Sequence, residues 1–498
     1  MNTASPADGG TNTGDSQGTG NGDSDPGTDG GVMLNPDSGV VQDDAPPGCP
    51  GPGAVTNVQA PVGRLLASGN SLSARGVTSD GYEIFSDDYA FQLYAVPIAG
   101  GPVQTIASLG SNFWVTVVGQ VVFAWSNVSA ADVGSLTIWS SAHGAHAIAP
   151  SSFGILGTSS PDGSQVLYLA NVDSQGQTGD VYLANSDGSG ATRLLQGQQL
   201  TGCFPQLGFA GSYVVASHCD VARGDGPSTT ISSFQSPGWT RADLMTNAQN
   251  TWSADMAGTF VLVSTAAGVL TVPIGGGAGT TVDSAGFMGQ LISGGSRAIY
   301  GTTNGGMLRS SPVKPPSPTT LAQNFGGFYA VSPSQAMVLY YENQTSNGTD
   351  VFLSSTTAAG RSQTLAPSTN GAVNGAAFTA DSNYALYSTG NDVCTGAAAF
   401  NAFPVNGGSA IQLGSNVWND WSATGSKVVF NDNFVATGGL RFGRADIESV
   451  DLSTGTTATP IVSQADAVID LSPAGDQIIY SWTVQPGAQA GIYVTAVP

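Results

Sequence analysis

The sequence predicts an all-β protein: a single large β-propeller of four-stranded antiparallel blades, closed by its N-terminal strand. Ten blades are expected, and eight if two of the repeat units are misassigned. Three observations carry this expectation. A turn-and-strand pattern recurs every 37–50 residues, about 44 on average, across residues 61–498, the repeat length of a four-stranded blade. An aromatic residue follows the turn at a constant offset. The two ends of the patterned region are complementary fragments of one unit.

Residues 1–60 precede the pattern. They contain no aromatic, Lys, Arg or Glu, and carry eight Asp among Gly, Ser, Thr, Asn and Pro. Such a segment buries too little apolar surface to offset its ordering entropy, and is expected to be a disordered acidic tail. The first basic residue is Arg64 and the first aromatic Tyr82, which places the domain boundary near residue 60 and the propeller at 61–498. Met1 leads into polar residues without the apolar segment of a signal peptide. A leader removed ahead of this sequence is the preferred reading.

The unit is clearest at residues 159–195. Ser160-Pro161-Asp162-Gly163 precedes Gln165-Val166-Leu167-Tyr168-Leu169, then Asp180-Val181-Tyr182-Leu183, Asp187-Gly188 and Thr192-Arg193-Leu194-Leu195. The tetrapeptide suits a type I turn, with Pro fixing φ at its second position, Asp at the third and Gly closing it. Aligning on that glycine gives Gly81, Gly119, Gly163, Gly211, Gly258, Gly295, Gln335, Ser382, Gly425 and Gly475. Four or five residues later stand Phe85, Phe123, Tyr168, Tyr300, Tyr340, Tyr387, Phe430 and Tyr480, with Val215 and Leu262 in the other two units. The surrounding runs, such as Val121-Val122-Phe123-Ala124-Trp125, are continuously apolar, which implies burial on both faces. The last unit stops after its third strand, Tyr493–Val497, and Gly63-Arg64-Leu65-Leu66 matches an isolated fourth strand. Joining them removes an open sheet edge.

This turn, strand and terminal Arg-Leu-Leu pattern resembles the TolB-like, WD-repeat-like propeller family of bacterial envelope proteins. Partial copies stand at Val331-Ser332-Pro333, Leu471-Ser472-Pro473-Ala474-Gly475, Trp421-Ser422-Ala423-Thr424-Gly425 and Thr78-Ser79-Asp80-Gly81. The resemblance implies a periplasmic, outer-membrane-anchored or secreted location and a binding role. Six or seven blades are usual in that family. The tail is similar to the spacers behind the lipid-bearing cysteine of surface lipoproteins.

Of four cysteines, Cys203 and Cys219 are equidistant from Gly211 in a predicted hairpin, so they are expected to face each other as a disulfide, which suits an oxidising compartment. Cys49 and Cys394 remain as a second pair by parity alone.

Composition removes several functions. With 34 acidic against 12 basic residues the net charge is −22. Nucleic-acid binding lacks its basic footprint, and no apolar run reaches membrane-spanning length. Self-repulsion favours a soluble monomer. His143-x-x-His146 lacks the further ligands of a zinc site. His218 beside Cys219 would read as base and nucleophile, but not if the cysteine is oxidised. Gly14-Asp15-Ser16-Gln17-Gly18 has no strand–helix context for a nucleophile elbow.

The candidate site is instead the loop face between second and third strands, where the segments are expected to be longest and most polar. It offers Asp87, Asp88, Asp173, Asp220, Asp225, Asn343, Asp392 and Asp432, whose oxygens suit a polar ligand or calcium. Trp114, Trp252 and Trp418 near the same rim suit sugar stacking or core packing. The favoured function is a non-catalytic binding or scaffold propeller for a protein or glycan, with no catalytic residue or obligatory cofactor. The alternative is a carbohydrate-active enzyme, a glycoside hydrolase or lyase, using loop carboxylates such as Asp88 and Asp432 as acid and base.

Overall fold

The computed structural model describes residues 60–498, apart from 155–156, 201–204, 220–228, 304–305, 346–347, 359–362, 367–372, 391–397, 419, 423, 437–442, 467–468 and 484–488. The tail, and with it Cys49, lies outside the described residues, as do Cys203, Asp220, Asp225, Asp392 and Cys394.

Among the described residues the regular structure is all β. Eight antiparallel sheets have four strands and one has seven. The four-stranded sheets are the blade-like modules expected from the repeat, and all but the last run in chain order. Unit three pairs Gly157–Ser159, Gln165–Ala170, Thr178–Asn185 and Thr192–Gln199 in sequence. In the seven-stranded sheet, the 15-residue strand Thr240–Ala254 serves as the last strand of unit four and the first of unit five. Its register shifts between Ala248 and Trp252, where one unit hands over to the next.

The turn between first and second strands explains the repeat. All ten aligned turn positions have positive φ, from 55° at Gly211 to 86° at Gly81, and Gln335 (57°) and Ser382 (64°) adopt it without glycine's freedom. In units three, seven and eight, a hydroxyl three residues earlier anchors the turn. Gln165 donates its amide to Ser160 Oγ at 2.9 Å, Met337 to Ser332 Oγ at 3.1 Å and Tyr384 to Thr379 Oγ1 at 3.1 Å. These anchors are buried, so each hydroxyl satisfies a backbone group that packing removes from water.

Second strands are the core. Val121–Ser126 is buried at every position, and the eight offset aromatics are all buried. Alternate residues face opposite neighbours, as period two requires. Val122 and Ala124 pack on Ile84 and Leu93 of unit one, whereas Val121 and Phe123 pack on Val166 and Tyr168 of unit three. Four aromatics stack on the residue directly opposite in the third strand: Phe85 on Tyr94, Tyr168 on Tyr182, Tyr340 on Phe352 and Tyr480 on Tyr493, with centroids 5.4–5.7 Å apart. Burying each such ring contributes roughly 1.5–3 kcal/mol.

The isolated N-terminal strand is Arg64–Ser68. It pairs antiparallel with Gly491–Ala496 as the outer strand of the last sheet. Ile479, Ile492 and Val494 of that sheet share a core with Leu72, Phe85 and Val96 of unit one.

Two local expectations are corrected. Second-to-third-strand connections are not uniformly long: only Ala266 and Ala267 join Phe260–Thr265 to Gly268–Pro273. The unit-four hairpin pairs Leu207 with Ala216 and Ala210 with Tyr213. Its centre therefore lies between Gly211 and Ser212, half a residue beyond the predicted one. Cys219 ends the strand Tyr213–Cys219, is buried and is not a free thiol.

Candidate functional site

The best-defined part of the loop face is the hairpin of unit one, where Tyr82–Asp87 turns into Gln92–Pro97. Asp87 Oδ1 accepts from Ser71 Oγ at 2.7 Å and from the amides of Tyr89 and Ala90 at 3.1 and 2.9 Å. Burial opposes its charge, but the Ala90 amide, Ser71 hydroxyl and Tyr89 amide hold its carboxyl below the usual range. Asp88 accepts from Ser73 Oγ and Ser86 Oγ, both at 2.6 Å, and from Arg75 Nη2 at 2.9 Å. Arg75 also donates from Nε to Ser86 at 2.8 Å, and its guanidinium lies 5.1 Å from the Phe113 ring centroid in unit two. Two aspartates thus brace the loop while an arginine ties it to two adjacent first strands.

That framework presents aromatic surface to solvent. Tyr89 is 86% exposed and Phe91 39%. Phe91 has φ 51°, a left-handed conformation that a bulky side chain rarely adopts. Such conformations persist where the surroundings over-determine them, often at ligand-contacting loops. Sequence reasoning found Asp87 and Asp88 but missed Tyr89, Phe91 and Arg75. The signal was available in Asp87-Asp88-Tyr89-Ala90-Phe91, two aromatics at the tip of a polar loop.

The remaining candidates occupy separate units. Asp173 closes its own loop, accepting from the amides of Gln175, Gln177 and Thr178 and from the Thr178 hydroxyl. The Thr178 hydroxyl, followed by the Gln177 amide, holds its carboxyl down at about 2. Asn343 falls within the strand Met337–Thr345, its side chain outside the described set. Asp432 accepts from the amides of Asn416 and Asn433, each at 2.9 Å, and stands directly opposite Asp446. Glu448 lies on the same strand pair, its carboxyl raised by burial and then by the charges of Asp432 and Asp446.

The tryptophans pack. Trp114 lies against the core shared by units two and three, where a Cβ on Gly154 would come within 3.0 Å of its ring. Trp252 lies against the core between units four and five, and Gly208 leaves room for it in the same way. Trp418 stacks on Phe434 at 4.7 Å.

Between the unit-four strands Tyr213–Cys219 and Thr229–Gln235, His218 Nε2 bonds Ser232 Oγ at 2.8 Å, and Ser232 donates to Asp243 Oδ1 at 2.7 Å. The chain runs Asp–Ser–His, so the histidine is not placed between acid and hydroxyl as a general base requires. Both His218 and Ser232 are fully buried. Desolvation works against the Asp243 charge, but Ser232 and Arg241 keep it below the usual carboxylate range. His146 Nε2 meets the His143 carbonyl at 3.0 Å in an exposed turn. Among the described residues, no group of three or more His, Cys, Asp or Glu is arranged to hold a metal ion, and no helix is long and apolar enough to cross a membrane.

No family model and no curated protein matches the chain. Among solved structures it is similar to dipeptidyl peptidase 4 from Porphyromonas gingivalis, at 10% identity over 80% of this chain and 60% of that one, with a TM-score of 0.46. It is similar to the tricorn protease at 11% identity over 86% of this chain and 52% of that one, with a TM-score of 0.29. A putative TolB from Agrobacterium tumefaciens matches at 14% identity over 52% of this chain and 94% of that one, with a TM-score of 0.27. The chain therefore spans between about half and three fifths of the two proteases, and nothing about its activity follows from similarity at this level.

Proposed function

We propose that this chain is a non-catalytic binding or scaffold propeller of the bacterial envelope or exterior, similar to TolB-like proteins, which engages its partner through the unit-one loop. In this reading ten units close into one ring. Supporting it are the pairing of Arg64–Ser68 with Gly491–Ala496 and the core shared by the first and last units. The observation that carries the binding role is the bracing of Asp88 by Arg75, Ser73 and Ser86 beneath an exposed Tyr89. Carboxylates committed to ion pairs and amide caps are good positioning groups, while an exposed aromatic on a braced loop offers a large contact area with few rotatable bonds to order.

The same reading makes the protein a monomer, periplasmic, secreted or lipid-anchored through its tail, with disulfides Cys203–Cys219 and Cys49–Cys394 and calcium as a candidate loop ligand. Peptide mapping without reduction tests the pairings. A thermal-shift screen of oligosaccharides, peptides and calcium tests the binding role, since a ligand of the folded state raises the melting temperature by mass action. Tyr89→Ala should abolish the shift and leave the unliganded melting temperature unchanged. A ligand that shifts wild type and variant equally would remove the loop from the site.

One observation favours the enzymatic alternative. Glu448, with its raised carboxyl, shares a strand pair with Asp432 and Asp446, and paired carboxyl groups are what glycoside hydrolysis uses. Asp88 is paired with Arg75 and does not suit the acid role. Turnover of any polysaccharide substrate that Glu448→Gln abolishes would establish this reading over the first.

A further inference from the structure

The junction between units one and ten contains a group that the binding role does not use. Glu83, on the second strand of unit one, is fully buried, and neither carboxyl oxygen has a hydrogen-bond partner among the described residues. Its cross-strand neighbours are Val77 and Val96, and both belong to the apolar core that joins the two units. Across the junction stands Asp470, in the first strand of unit ten, Ile469–Leu471. Asp470 accepts the amide of Gly76, and its Oδ2 is buried without a partner. Three buried carboxyl oxygens without partners thus lie at the junction between units at opposite ends of the folded chain, and the Asp470 charge acts on Glu83.

A buried carboxylate requires a counter-charge, a set of donors or a proton. Among the described residues, no cation is positioned to neutralise this pair. Arg75, on the strand next to Glu83, is turned to Asp88 and the Phe113 ring, and Arg64 donates to the Ile98 carbonyl. The tyrosines on the packed strands are also engaged elsewhere: Tyr82 against Trp139, Tyr94 against Phe85, Tyr480 on Val62 and Tyr493 on the Gln489 carbonyl. Asp470 is the charged group that acts on Glu83, and it is of like sign. A hard divalent cation fits poorly, since calcium takes about six to eight oxygens and the cross-strand neighbours of Glu83 are valines. A proton is what the site accommodates.

We propose that Glu83 and Asp470 form a proton-operated latch: with Glu83 neutral, units one and ten stay packed, and when it ionises they part along this junction. Burial and then the Asp470 charge push the Glu83 carboxyl well above its ordinary value, and burial pushes Asp470 up to about 6. For a carboxyl raised in the folded state, stability is fully present below the unfolded-state value and is lost as pH rises through the folded one. The junction is therefore tightest in acid and loosens towards alkaline pH, the opposite of acid denaturation. The partner-binding role is not required for this device.

The test is hydrogen exchange on the full chain from about pH 5 to about pH 8, corrected for intrinsic exchange, comparing Arg64–Ser68, Leu72–Val77 and Gly491–Ala496 with Arg297–Thr302 as an internal control. One linked proton raises the opening constant by up to about tenfold per pH unit. That rise is expected at the junction and not in the control strand. Glu83→Gln, which keeps the shape without the charge, should flatten it. If that variant fails to fold, Asp470→Asn removes the like charge that raises the Glu83 carboxyl, so the rise should end at lower pH and be smaller in total. A junction whose protection ignores pH, a Glu83→Gln variant with the wild-type slope, or an Asp470→Asn variant with the full wild-type rise would each overturn the latch. So would magnesium or calcium restoring protection at high pH in wild type but not in Glu83→Gln, which would make the pair a metal site.

Discussion

The Tyr480 hydroxyl holds both backbone groups of Val62, 418 residues away in the chain: it donates to the Val62 carbonyl at 2.6 Å and accepts from the Val62 amide at 2.9 Å. One ring thus stacks on Tyr493 within its own sheet and fastens the segment leading into the N-terminal strand. Tyr480→Phe keeps the stacking and leaves two partly buried backbone groups unpaired. The expected loss is about 1–3 kcal/mol, read from the urea midpoint at unchanged slope.

Removing the N-terminal strand tests its pairing more severely. Deletion of residues 1–68 exposes the edge of Gly491–Ala496, and unpaired edges recruit other chains. Size-exclusion chromatography with light scattering should show oligomers. Deletion of 1–59 alone should not. Gly491→Ala should behave as the longer deletion does, because its Cβ would lie 2.0 Å from the Ala67 carbonyl oxygen.

Phe91 provides a prediction of the opposite sign. Its left-handed backbone costs of order 1–3 kcal/mol in a bulky residue, which glycine does not incur. Phe91→Gly should raise the melting temperature. If Phe91 contacts the ligand, the same variant should bind it less well, so that stability and binding move apart in paired thermal-shift and titration measurements.

Asp173 gives an acid-side prediction. With its carboxyl depressed to about 2, its contribution is present above the unfolded-state value and is lost as pH falls through the folded one. The loop 172–177 should therefore resist proteolysis at neutral pH and become cleavable in acid. Asp173→Ala should be cleaved at both.

Much of the architecture is legible in the sequence because it is written in short-range rules. A left-handed position closing a turn, an apolar run of strand length and an aromatic at constant offset each depend on a few neighbouring residues. That is why the alignment placed Gln335 and Ser382 among glycines, and why both have positive φ. The anchoring role of Ser160, Ser332 and Thr379 is equally local but less legible, since hydroxyl residues are common in strands and loops whereas Pro, Asp and Gly mark turns by their backbone preferences. The loop face was half legible. Asp87 and Asp88 announce a polar loop, but the exposure of Tyr89 and the reach of Arg75 to Phe113 depend on how two units meet.

By itself, the sequence determined strand content, the repeating unit, the turn chemistry and the match between the two ends of the folded region. Tertiary structure decided which side chains from distant units share an environment: Glu83 with Asp470, Tyr480 with Val62, Trp114 within a core rather than on a rim. The physical reason is range. Backbone sterics and alternation act over two to five residues, whereas burial and desolvation are set by whatever packing places across a junction, and no local pattern specifies that.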